Sequence, residues 1–525
     1  PAGGAGPGAR SGALNEASMN SSRSILRFDA PPEQAWDRWE FDDKPREECG
    51  VFGVFASEDA AVLTALGLHG LQHRGQEGCG IVTFDGERFY TDRHSGLVGD
   101  NFSGPDVPKR LPGNSAVGHT RYATSGGTLL RNVQPLFADI AVGGFSIAHN
   151  GHLTNARLLR EQLVDDGAIF QSTSDTECIL QLIARSRRAK VVDRFVEALH
   201  QIQGAYALVC LTNNMLIGAR DPLGIRPLVL GRLGDAPILA SETCALDIIG
   251  ATLERAVEPG EVVVVTRDKK GAVKLESHFP FPRRPARPCI FEFVYFSRPD
   301  SIIDGKSVYD VRKRMGGRLA RETGIEADVV VPVPDSGVPA AMGYAAESGL
   351  PYELGIIRNH YVGRTFIQPK QEIRDIGVRL KHAANRGVLK DKRVVLVDDS
   401  IVRGTTSRKI VQMVREAGAR EVHFRSASPP IRFPDFYGID MPSQEQLMAA
   451  HLSLEAMTKS LGVDSLGFLS VEGLYWAMGH ERNGAYPQFT DHCFTGEYPT
   501  PLVDHSSDRA AKDFQLSLLA DTSAD

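Results

Sequence analysis

Two adjacent carboxylates, Asp398 and Asp399, close an apolar run and are followed by SIVRGTT and a helix-type stretch, SRKIVQMVREAG. Each part suits a phosphorylated sugar. A loop running into a helix N-terminus offers backbone N–H donors and a partial positive charge for a phosphate. Gly404 lets the backbone approach closely without a Cβ. The hydroxyls of Thr405 and Thr406 can bond phosphate oxygens, and Arg403 lies in the same loop. The acidic pair can take ribose hydroxyls and a hydrated Mg²⁺, a hard cation that prefers oxygen ligands. A plain strand-to-helix turn with two solvated acids would share any one of these features. The whole run, with strand before and helix after, points to a phosphate site. A second turn, DSG with Ser336, follows another buried-type run, VVVPVP. Between the two lies Arg358 to Lys381, RNHYVGRTFIQPKQEIRDIGVRLK, dense in Arg and Lys. It is expected to form a mobile lid that neutralises phosphate charge and excludes water, rather than a solvated basic loop.

Seven cysteines (Cys49, Cys79, Cys178, Cys210, Cys244, Cys289 and Cys493) are widely spaced and contain no C-x-x-C. That is neither a disulfide framework nor a zinc pattern, and a buried thiol is the default for each. Four downstream motifs set Cys49 apart: HRGQEGCGI from His73, GHTRYATSG from Gly118, HNGHLTN from His149 and TSDTE from Thr173.

These residues need elements to hold them. From Cys49 to about residue 265, short β-type runs such as GVFGVFA, FSIAHNG and GEVVVVT are bounded by Gly and Asn turns, with helical stretches from Ala60 to His73 and from Ser174 to about Leu199. This predicts an α+β domain built on stacked antiparallel sheets. Residues 266–300, rich in Pro and Arg, read as a connector running as a linker or along a sheet edge. Residues 301–500 alternate continuous apolar strands with helices, the mark of a parallel α/β sheet covered on both faces, and its C-terminal part reads as mainly helical. Ligands in such sheets bind beyond the carboxyl ends of the strands, where both DSG and DDSIVRGTT fall. Residues 1–48 read as a flexible leader and 501–525 as a weakly ordered tail.

Composition limits the function classes. Lys plus Arg number 59 against 65 Asp plus Glu, a net charge of −6, which argues against a nucleic-acid coat. No apolar run reaches the roughly 18 residues of a membrane span, and the N-terminus lacks the apolar core of a signal peptide. A cytoplasmic protein with no nucleic-acid or membrane partner is expected.

Taken together, the four motifs after Cys49 resemble the N-terminal-nucleophile glutamine amidotransferases, and VVLVDDSIVRGTT resembles the loop of type I phosphoribosyltransferases that binds phosphoribosyl pyrophosphate (PRPP). The combination, with ARDPLGIRPLVLG, FEFVYFSRPDSIIDGKSVY and CFTGEYP, resembles the glutamine PRPP amidotransferases along most of the chain. The resemblance implies that Cys49 is the nucleophile and that its own α-amino group is the base, once residues 1–48 are removed. It makes Asn150 and the N–H of Gly151 the oxyanion hole, and gives the glutamine α-carboxylate to Arg121 and its ammonium to Asp175. It puts the 5-phosphate in the Asp399–Thr406 loop, with Ser400 and Arg403, and one Mg²⁺ with PRPP near Ser336, Asp398 and Asp399. Purine-nucleotide inhibition and a homo-oligomer are implied as well. One branch of the family carries a [4Fe–4S] cluster, which needs four thiolates. Two of those positions keep Cys, at Cys289 and Cys493. Asp435 and Thr490 stand in the others, so no cluster is expected. Two rivals remain: another amidotransferase with the same glutaminase domain, which would lack DDSIVRGTT, and a PRPP-sensing regulator, which would have no use for Cys49, Arg121, Asn150 and Asp175.

Overall fold

The computed structural model describes residues 1, 3, 49–122, 129–268, 270–359, 382–439, 441 and 443–505. The leader apart from Pro1 and Gly3, the lid beyond Asn359 and the tail after His505 lie outside the described residues.

The first half is a four-layer stack. A seven-stranded sheet carries Gly50–Phe55 beside Ser115–Arg121, and a six-stranded sheet carries Gly143–Leu153 beside Gly204–Thr212; both are antiparallel. Alternation along each strand explains the stacking. Val51 and Phe55 join Val117, Ala148, Val209 and Val263 between the sheets. Phe52 and Val54 point the other way, onto the helix Ala60–Gly70. On the far side, Phe145, Ile147 and Leu208 meet the helices Thr176–Arg185 and Val191–Leu199. With both faces of each sheet covered, the central strands read as continuous apolar runs.

Three features differ from the expected outline. Ala156–Asp165 is helical, and the N–H groups of Arg157 and Leu158 donate to the Asp504 carboxylate, so the cap comes from the far end of the chain. The six-stranded sheet runs past residue 265, through Val262–Arg267 to an exposed edge strand, Val273–His278, so the boundary shifts while the connector does begin along a sheet edge as expected. Farther on, Phe291, Phe293 and Val294 are already buried in the core of the second half.

That second half is built on a parallel four-stranded sheet, ordered Val329–Pro332, Arg393–Asp398, Glu421–Ser426 and Ser465–Phe468. The last strand lies in a region expected to be mainly helical; its four residues pair with a single neighbour at the sheet edge. Val394 and Leu396 face the helices Thr405–Glu416 and Leu454–Leu461. Val395 and Val397 face Val308–Thr323 and Val338–Ser348. The last two helices touch through their backbones. A Cβ at Gly316 would lie 1.8 Å from the Ala340 carbonyl oxygen, and one at Gly343 1.9 Å from that of Lys313.

Buried charge joins the halves. Glu242 accepts from Arg74, from Ser301 Oγ at 2.6 Å and from the Arg298 N–H at 2.9 Å. Glu292 accepts from Arg74 and from Ser297 Oγ at 2.6 Å, and Arg226 lies 3.4 Å away. Arg220 grips Asp304 with two bonds of 2.8 Å.

Candidate active sites

Cys49 directly precedes a central strand whose neighbour ends at Arg121, with Gly50 opposite Thr120. Its thiol lies 3.6 Å from the Tyr122 carbonyl oxygen. Burial pushes this thiol up to about 11, against the pull of the Tyr122 contact and of Arg121. Cys49, Arg121 and Asp175 feel one another's charge, and so does Glu77, a residue of the HRGQEGCGI motif that sequence reasoning did not single out.

The other wall comes from the second sheet. His119 Nε2 donates to the His149 carbonyl at 3.1 Å, bridging the sheets. Burial drives His119 down to about 3, so the ring is neutral. Asn150 follows on the same strand and is fully buried. Neither its amide nitrogen nor its amide oxygen has a hydrogen-bond partner. Gly151 has φ +140°, and a Cβ there would strike the Ala205 carbonyl oxygen at 2.1 Å. Only glycine takes this backbone without strain.

Asp175 precedes the helix Thr176–Arg185 and accepts the Leu153 N–H at 3.0 Å. Its carboxyl lies 3.8 Å from His149 Nδ1 and 3.5 Å from His152 Nδ1. Burial pushes that carboxyl up, but the two histidines and the Leu153 N–H outweigh it and hold it below the ordinary carboxylate range. Sequence reasoning missed both histidines, although HNGHLTN displayed them.

At the carboxyl end of the parallel sheet, Asp398 Oδ1 accepts the Asp399 N–H at 2.9 Å, and Ser400 Oγ donates to Asp399 at 2.7 Å. All three are buried. Gly404, at φ +78°, turns the chain into the helix that starts with Thr405 and Thr406, and a Cβ there would strike Met448 Sδ at 2.6 Å. Arg403 is held by Gln446 Oε1 at 2.9 and 3.2 Å. The DSG turn sits directly on this loop, since a Cβ at Gly337 would lie 2.4 Å from the Val397 carbonyl oxygen and 3.2 Å from Asp398 Cα. Half-buried Ser336 is the residue before Gly337 in this turn. Two buried carboxylates and a hydroxyl are hard oxygen donors, a set that fits Mg²⁺. Arg358, at the start of the expected lid, pairs with Asp335; the antiparallel register of Arg358 with His382 keeps the two ends of that segment together.

The described residues that would meet a [4Fe–4S] cluster do not fit one. Cys289 bridges to Thr490, whose hydroxyl donates to the Arg287 carbonyl at 2.6 Å, and Asp435 faces His492 at 2.7 Å. That leaves two thiols where four thiolates are needed.

Residues 119–247 match the model of a glutamine amidotransferase domain, and residues 300–426 that of a phosphoribosyl transferase domain. The chain is 60% identical over 480 residues to an amidophosphoribosyltransferase from Rhizobium etli, covering 91% of this chain and 96% of that one. The chain belongs to the amidophosphoribosyltransferase family. An amidophosphoribosyltransferase from Bacillus subtilis is 50% identical over 457 residues, covering 87% of this chain and 95% of its own. A solved structure of the Bacillus subtilis glutamine PRPP amidotransferase, complexed with ADP and GMP, superposes with a TM-score of 0.82. It shares 48% identity and covers 88% of this chain and all of its own. A second, described as the allosteric regulatory enzyme of purine biosynthesis, gives the same TM-score at 49% identity, covering 86% of this chain and 97% of its own. The glutamine amidotransferase match precedes the phosphoribosyl transferase match along the chain, and the two groups of residues described above fall in that same order.

Proposed function

We infer that this chain is a glutamine-dependent amidophosphoribosyltransferase. It converts glutamine, PRPP and water to 5-phospho-β-D-ribosylamine, pyrophosphate and glutamate, the first committed step of purine synthesis. Both domain matches and the relatives at 50% identity or more support this reading.

The roles of the residues are our proposal, and the buried, unpartnered amide of Asn150 carries it. The thiol of Cys49 gives its proton to the α-amino group of the same residue and attacks the amide carbon of glutamine. Asn150 Nδ2 and the Gly151 N–H stabilise the oxyanion. Ammonia leaves, and water releases glutamate from the thioester. Arg121 holds the substrate carboxylate, while Asp175, kept ionised by His149 and His152, holds its ammonium. This chemistry requires residues 1–48 to be removed, because an acylated nitrogen cannot act as the base.

In the second half, the loop Asp399–Thr406 binds the 5-phosphate, and Asp398 and Asp399 hold the ribose hydroxyls. Ser336, Asp398 and Asp399 would hold one Mg²⁺, which when bound screens the pyrophosphate charge. Arg358 and the segment after it cover the leaving group. A homo-oligomer in the cytoplasm, inhibited by purine nucleotides, completes the proposal. The nucleotides bound by the Bacillus subtilis relative favour that inhibition, and among the described residues no helix is long and apolar enough to cross a membrane.

A paired product assay tests the whole reading. Equal pyrophosphate and glutamate, with glutamate release falling when PRPP is omitted, is expected. Glutamate without pyrophosphate would overturn the acceptor.

A further inference from the structure

Asp435, His492 and Cys493 lie outside both proposed sites and form a compact donor set. One carboxylate oxygen, one ring nitrogen and the sulfur lie within 4.8 Å of one another, and all three residues are buried. An ion pair between Asp435 and His492 would explain their proximity but not their geometry. Asp435 Oδ1 lies 2.7 Å from His492 Nε2, yet it has no hydrogen-bond partner. The ring nitrogen points instead at Cys493 Sγ, 3.3 Å away. A buried carboxylate oxygen with no donor is costly, and it is found where something else satisfies it.

The surroundings fix the donors in place. The other oxygen of Asp435 accepts the N–H groups of Tyr437 and Ile439, both at 2.7 Å. The His492 ring is packed between Tyr437, edge-on at 5.1 Å, and Tyr498 at 5.0 Å.

We propose that Asp435, His492 and Cys493 bind a single divalent transition metal, zinc first. Mixed oxygen, nitrogen and sulfur donors suit Zn²⁺ and not Mg²⁺, which takes oxygen alone. Binding displaces the Cys493 thiol proton to solvent, so occupancy rises with pH.

The site reaches the glutamine pocket through one ligand. Asp435 shapes the turn 435–439, and Gly438 in that turn presses on Gly151: a Cβ at Gly438, φ +116°, would lie 2.9 Å from the Gly151 carbonyl carbon. Metal at Asp435 therefore steadies the backbone behind the proposed oxyanion hole. This consequence rests on the role proposed for Asn150 and Gly151, whereas metal content does not.

The test uses the full-length protein, loaded with zinc and passed over a chelating resin, with metal measured by mass spectrometry. About one zinc per chain is expected, falling at least roughly tenfold in Cys493→Ser and His492→Gln. Cobalt-loaded wild type should show a thiolate-to-metal charge-transfer band that Cys493→Ser lacks. Less than about a tenth of an equivalent in the wild type would sink the proposal, and so would zinc retained undiminished in both variants. About four irons with acid-labile sulfide would replace it with a cluster. If zinc binds as expected but its removal leaves glutamine-dependent and ammonia-dependent rates equally unchanged, the link to Gly151 fails while the metal site stands.

Discussion

Asn150 carries a cost that its own fold does not relieve. An amide with no partner at either end destabilises the folded protein by about 1–3 kcal/mol. A transition state that develops negative charge beside Nδ2 turns that cost into catalysis. Asn150→Ala should lower the glutamine-dependent kcat by about 10²–10³ and leave ammonia-dependent synthesis intact. Steady-state assays with each nitrogen donor check this, and equal losses in both would remove Asn150 from the oxyanion role. Cys49 adds a pH prediction. Burial raises its thiol to about 11, so the protonated form dominates at neutral pH and a base must take the proton. An α-amino group titrates at about 7.7–8.0, so kcat/KM for glutamine hydrolysis by the processed chain should rise with pH through a limb near 8. A limb near 11 would mean that the amine is not the base.

Loops here are set by what the backbone will permit. Gly404 takes a left-handed conformation that costs other residues about 1–2 kcal/mol, and Met448 fills the space a Cβ would need. Gly404→Ala should raise the KM for PRPP about tenfold and leave PRPP-independent glutamine hydrolysis unchanged, as separate kinetics on each half would show. VVLVDDSIVRGTT was legible because strand, loop and helix are contiguous, so local pattern and site coincide. The GVFGVF strand was legible because burial on both faces imposes an apolar run. Other elements depended on distant residues. The helix Ala156–Asp165 is capped by Asp504, and the strand Ser465–Phe468 needs Glu421–Ser426 beside it. His149 and His152 act on Asp175, which lies on another element; their motif was visible, but the distances were not.

The whole molecule is joined by charge rather than by an apolar seam alone. Glu292 serves Arg74 from the first half while sitting in the core of the second. Removing one partner of a buried pair leaves an uncompensated charge, so Glu292→Ala should cost about 3–5 kcal/mol. Denaturant melts would show it, and a change under about 1 kcal/mol would mean that the junction tolerates the loss. Glu242 sets the pH range. Burial raises its carboxyl, but His73 and Arg74 outweigh that and hold it well below the usual carboxylate range. A depressed carboxylate stabilises the fold above its unfolded value, about 4.3, and loses that only as pH falls through the lower folded value. Glu242→Gln should therefore destabilise the protein at pH 7, and the gap from wild type should persist to about pH 4.5. A gap that closes between pH 7 and 5 would contradict the pairing.

The contact of Gly316 with Ala340 and of Gly343 with Lys313 has a mechanical meaning. Side chains between helices act as springs, since rotamers can shift to absorb a displacement. Here the springs are missing and peptide rests on peptide. The helix that begins after Ser307, near the junction, cannot slide without carrying along the helix that leaves the DSG turn. The pair is a stiff strut, and its amides should exchange with solvent as one cooperative block, opening together rather than helix by helix.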